Sequence, residues 1–110
     1  MNSTSDSLND LRARLRQFAA ERDWEQFHAP KNLAMSVAIE AAEIMEHFQW
    51  LTPEESASLP ESRRAAVAYE IADVLLYLVR LADVLDIDPL EAALDKMAIN
   101  ARKYPAVRGL

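Results

Sequence analysis

The sequence predicts an all-α fold, and three observations carry that prediction. The 110 residues include a single Gly, the residue that hairpins and tight strand turns usually need. Ala, Leu, Glu and Arg, all good helix formers, recur along the whole chain. Apolar residues return at three- and four-residue steps, as in Leu8, Leu11, Leu15, Phe18 and Ala19, which is the period of one helix face. A helical bundle of four main helices plus a short connecting helix is expected, as one domain over residues 1–110. A chain this short has limited interior, and self-association would help bury its apolar content of 51%.

Each element has a local reason. Residues 1–6, rich in Ser, Asn and Thr, are expected to fray. The first helix is expected over residues 7–22. Residues 23–31 form a loop rich in aromatics for a connector, with Trp24, Phe27 and His28. The second helix is expected over residues 32–49, with Asn32 as its N-cap. Thr52-Pro53-Glu54-Glu55 combines a capping box with Pro at the first helical position, opening a short helix that Pro60 ends. A long third helix is expected over residues 61–85. Asp88-Pro89-Leu90-Glu91 repeats the start signal, and a last helix over residues 89–103 stops before Pro105.

Composition excludes several functions. Twelve Lys and Arg against eighteen Asp and Glu give a net charge of −6, the wrong sign for a general binder of nucleic acid polymers. Without Cys there is no disulfide scaffold and no thiolate chemistry. The first ten residues lack an apolar segment of the secretory kind, and the longest apolar stretch, residues 65–79, is too short to span a bilayer. A cytoplasmic protein without membrane contact is expected.

The informative residues are four acids. Glu40 and Glu43 sit among Ala, Ile and Met on the second helix; Glu70 and Asp73 are the only charges between residues 65 and 79 on the third. Each pair stands three apart and shares one helix face. Carboxylates in apolar surroundings need a counter-charge or stay protonated. Yet no Lys or Arg occurs from residue 32 to 62, nor from 65 to 79. If the two helices pack antiparallel, the four acids converge, and a hard divalent cation, Mg²⁺ or Mn²⁺, resolves the excess negative charge. The competing reading pairs the acids with distant bases such as Arg64, Arg80 or Lys96. The chain would then be a non-catalytic helical oligomerisation module, or one that binds a nucleotide without cleaving it.

The pattern Glu40-x-x-Glu43, then 26 residues, then Glu70-x-x-Asp73 resembles the signature of the MazG-like all-α nucleotide pyrophosphohydrolases. The blocks from Phe18 to Leu33, Phe48-Gln49-Trp50, Asp73 to Leu78 and Lys96 to Pro105 are similar to the dCTP pyrophosphatase branch of that family. The resemblance implies an intertwined homodimer or homotetramer with Mg²⁺ held by Glu40, Glu43, Glu70 and Asp73. It implies hydrolysis of a nucleoside triphosphate, dCTP or a base-modified dCTP, to the monophosphate and pyrophosphate, with nucleotide-pool cleansing as the role. Glu43 is our choice for the acid that takes the proton of the attacking water, with Glu40 as the alternative. Glu46 extends the stripe by one turn and is given no role. Trp24, Trp50, Phe48 and Tyr77 are candidates for the walls of a base pocket, with His28 as a hydrogen-bonding group. Phe27 is read as ordinary core. Lys96, Asn100 and Lys103 share one face of the last helix, and with Tyr104 they are candidate substrate contacts.

Overall fold

The computed structural model describes residues 7–107, and among them there are five α-helices and no strand. The helices are α1 (Leu8–Glu21), α2 (Pro30–Phe48), α3 (Pro53–Ser56), α4 (Glu61–Val84) and α5 (Pro89–Lys103), with one 3₁₀ turn at Glu25–Phe27. The expectation for residues 1–6 lies outside the described residues.

The helix starts follow the local chemistry. Ser7 caps α1 by accepting the Asp10 N–H at 3.0 Å. At α3 the Thr52 N–H donates to Glu55 Oε1 at 2.9 Å while the Glu55 N–H donates to Thr52 Oγ1 at 3.1 Å, a complete capping box. Asp88 accepts the N–H groups of Leu90 and Glu91 at the start of α5. The start of α2 departs from expectation. It begins two residues early, at Pro30, with Ala29 as its N-cap. Pro at the first helical position needs no N–H partner and already has a helical φ. Asn32 lies inside the helix and turns its Nδ2 to the Phe27 carbonyl at 3.3 Å.

Two helices end on a left-handed residue that is not glycine. Past α1, the Trp24 N–H donates to the Ala19 carbonyl and the Asp23 N–H to Ala20; past α4, Ile87 donates to Ala82 and Asp86 to Asp83. Both are Schellman motifs. Each needs a left-handed residue, supplied by Asp23 (φ 55°) and Asp86 (φ 58°), a conformation Asp tolerates better than most side chains do. The first of these stops folds Trp24 back onto α1, where its ring meets Phe18 edge-on at 5.6 Å.

Helix α4 is the centre of the bundle; α2 packs along it and α1 packs on its C-terminal half. The partners of α2 and its leader run oppositely along α4. His28 meets Arg80, Glu43 meets Glu70, and His47 meets Arg63, so α2 and α4 are antiparallel. The buried apolar residues are few: Ala19, Leu33, Val67, Val79 and Ala82. Phe27, read as core, is 61% exposed, because the 3₁₀ turn carries it away from α4. No helix of the described residues is long and apolar enough to cross a membrane.

Candidate functional site

The antiparallel pairing brings the two acidic stripes face to face. Glu40, Glu43 and Glu70 each offer a carboxylate oxygen within 4.8 Å of the others. Asp73, one turn beyond Glu70, stands outside this tight group, but its charge reaches both Glu40 and Glu70. None of the ion pairs among the described residues involves these acids. Arg64 is paired with Glu61 at 4.0 Å and Arg80 with Asp83 at 3.3 Å. Two of the distant bases that a purely structural reading requires are thus committed elsewhere in this chain, and the third, Lys96, lies exposed on α5.

The electrostatics follow from this isolation. Glu40 Oε2 and Glu70 Oε2 are buried without a hydrogen-bond partner. Glu70 is pushed up to about 7, first because in protonated form it can share a hydrogen bond with Glu43, then by burial and by the charges of Glu43, Glu40 and Asp73. Glu40 is also raised, chiefly by burial, then by Glu43 and Asp73. Two buried, unpartnered carboxylate oxygens with the carboxylate of Glu43 this close beside them suit a hard divalent cation, which prefers several carboxylate oxygens and offsets their repulsion. Glu46 joins Glu43, His47, Arg63 and Glu70 around a polar recess beside the cluster. Arg63 is fixed there by donating to the His47 carbonyl at 3.2 Å.

Asp73 also lines a second, more apolar cavity of about 180 Å³. Its walls include Phe18, Trp24, His28, Tyr77 and Arg80. This is smaller than the roughly 300–1,000 Å³ that encloses a whole small ligand, and it suits one end of a ligand whose other end lies at the acids. Of the sequence-derived candidates, Trp24, His28 and Tyr77 are gathered here. Trp50 is not; it is 86% exposed beyond the end of α2. Lys96, Asn100, Lys103 and Tyr104 are all exposed, as is every residue of α5 after Pro89. Sequence reasoning gave no role at the cavity to Arg80 or to Asp83 behind it. Their partners, His28 and Arg16, are 52 and 67 residues away, a separation that leaves no local pattern.

An all-α bundle with facing acid stripes on two antiparallel helices defines a helical protein with a candidate metal site. The comparisons make this specific. Residues 35–109 match the model of the MazG-like family, and the chain belongs to that family. It is 47% identical over 106 residues to human dCTP pyrophosphatase 1 and 45% identical over 105 residues to the Bos taurus protein of the same name. Those alignments cover 94% of this chain and 62% of the relatives, so the chain spans less than two thirds of their length. The crystal structure of a pyrophosphatase from Archaeoglobus fulgidus superposes with a TM-score of 0.84 at 47% identity, covering 89% of this chain and 92% of that one.

Proposed function

We propose that this protein is a Mg²⁺-dependent nucleoside triphosphate pyrophosphohydrolase acting on dCTP or a base-modified dCTP. The observation that carries the reading is the pair of buried, partnerless carboxylate oxygens on Glu40 and Glu70, set beside a cavity walled by Trp24 and Tyr77. The likeness to dCTP pyrophosphatases from several mammals supports the same substrate. Glu40, Glu43, Glu70 and Asp73 would hold the cation, and Mn²⁺ would substitute. A bound cation supplies positive charge against the phosphates and lowers the pKa of water.

The residues of the chain divide the remaining work. Trp24 and Tyr77 flank the base, and His28 meets its edge. Water attacks the α-phosphorus, the bond from that phosphorus to the α–β bridging oxygen breaks, and pyrophosphate leaves. Glu43 takes the proton of the water, with Glu40 as its alternative. Trp50, Lys96, Asn100, Lys103 and Tyr104 reach the site from a second copy of the chain, in a homodimer or homotetramer. Nucleotide-pool cleansing in the cytoplasm is the role this activity serves.

Phosphorus NMR of dCTP incubated with protein and Mg²⁺ tests the reading. The expected products are the monophosphate and pyrophosphate, and Asp73→Asn removes them. Orthophosphate as the first product, or turnover that survives loss of both Glu40 and Asp73, overturns it. A panel of nucleoside and deoxynucleoside triphosphates with the same readout ranks the bases.

A further inference from the structure

Arg80 is the one charged residue buried among the described residues, at 7% exposure. A buried guanidinium needs partners for its charge and its donors. Asp83 is the charged partner: Arg80 Nη1 donates to its Oδ2 at 3.3 Å. Asp83 is itself fixed by Arg16, whose Nη2 and Nε donate to the two carboxylate oxygens at 2.6 and 3.1 Å, with Arg12 at 3.9 Å. The clamp leaves Arg80 Nε directed at one acceptor, His28 Nδ1, at 3.0 Å.

This contact determines the chemistry of the imidazole. A guanidinium nitrogen can only donate, so Nδ1 must carry the lone pair. The proton of the neutral ring is then on Nε2. Burial and the charge of Arg80 both hold the His28 pKa below its usual value, against a smaller opposing pull from Glu25. The other charge lining the same cavity is Asp73. A doubly protonated ring would have to give up its bond to Arg80. His28 therefore has one polar atom left for a ligand, and that atom is a donor.

We propose that Arg80, anchored by Asp83, is a positioning residue that fixes His28 as an Nε2–H donor, so that the base edge meeting His28 must present an acceptor. This rests on reading the Trp24–His28–Tyr77 cavity as the base pocket. A hydroxyl or amide at this place would adapt to either polarity, whereas a ring locked at Nδ1 cannot. The ligands selected carry a ring-nitrogen lone pair or a carbonyl oxygen at that edge, and those with an N–H there are rejected.

The first measurement uses the unaltered protein. Nitrogen-15 NMR of histidine-labelled protein at neutral pH should show the His28 ring protonated at Nε2 and bare at Nδ1, with His28→Ala distinguishing its signals from those of His47. Protonation at Nδ1 overturns the proposal. The second uses Arg80→Met. The ring should populate both tautomers, and KM for dCTP should rise about tenfold, the worth of one well-made hydrogen bond, with kcat changed less than about twofold. The double variant with His28→Ala should be no worse than His28→Ala alone, because Arg80 acts through that ring. An unchanged tautomer in Arg80→Met, or effects that simply add, overturns the positioning role. Absence of dCTP hydrolysis by the unaltered protein overturns the nucleotide reading and the ligand assignment with it, while the ring measurement separately decides whether Arg80 sets the tautomer.

Discussion

Three guanidinium groups converge on Asp83, and the same carboxylate braces Arg80 and through it His28. The Asp83 carboxyl is held below the usual carboxylate range, first by the hydrogen bond from Arg16 and then by the surrounding positive charge, against an opposing cost of burial. Its pKa in the folded state lies below the unfolded value of 3.8. The stability it contributes is therefore present above that value and is lost as pH falls through the folded one. Asp83→Ala, which leaves the buried Arg80 unpaired, should cost about 3 kcal/mol near neutral pH. Urea denaturation at neutral and at strongly acidic pH checks both expectations, and the difference between variant and parent should shrink in acid. The acids of the cluster behave oppositely. Glu70 is raised, not lowered, first by the hydrogen bond it can share with Glu43, then by burial and the charges of the neighbouring carboxylates. That contrast was half legible in the sequence: the absence of Lys and Arg around the two stripes is a local pattern, and it announces unpartnered acids. The Arg16–Asp83–Arg80–His28 chain joins three separate stretches of backbone, and only packing assembles it.

At the scale of the element, the fold was legible wherever a helix end depends on its nearest neighbours. The Thr52 box and the Asp88 cap form as the residue types require. Asn32 misled because a good cap residue stood two positions past a proline that could already start the helix. The two Schellman stops gave no glycine to read; Asp takes its place. Asp86→Gly should leave stability unchanged or slightly higher, whereas Asp86→Val, β-branched in a left-handed conformation, should lose about 1–2 kcal/mol; thermal unfolding of the two variants separates them. The packing of α2 on α4 rests on few buried side chains, Leu33 and Val79 chief among them. Leu33→Ala should cost about 2–5 kcal/mol by leaving a cavity beside α4, measured by denaturant titration with unchanged slope.

The whole molecule exposes more than a compact monomer should. Its accessible surface is 8559 Å², against about 6,100 Å² from the scaling for a folded monomer of this mass. Its radius of gyration of 17.2 Å exceeds the ~13 Å of a compact domain of similar length. Large apolar side chains stand exposed along α2 and α4, and also on α5, where Leu90, Leu94, Met97 and Ile99 are in the open. Patches of this kind mark association surfaces, and a second copy of the chain is the occupant our functional reading calls for. Sedimentation should find a dimer or tetramer, and Leu94→Glu together with Met97→Glu should shift it toward monomer with loss of activity. No single-chain sequence pattern reveals which copy completes a site, and so Trp50 and the Lys96–Tyr104 group could be nominated from sequence without being positioned. The central claim is narrower than the oligomer: Glu40 and Glu70 are orphaned because a divalent cation belongs between them. Calorimetric titration of the metal-free protein with Mg²⁺ tests it most directly. Saturable binding that disappears in Glu40→Gln and Glu70→Gln, while both variants stay folded, is the predicted result; no binding, or binding that both variants retain, would contradict it.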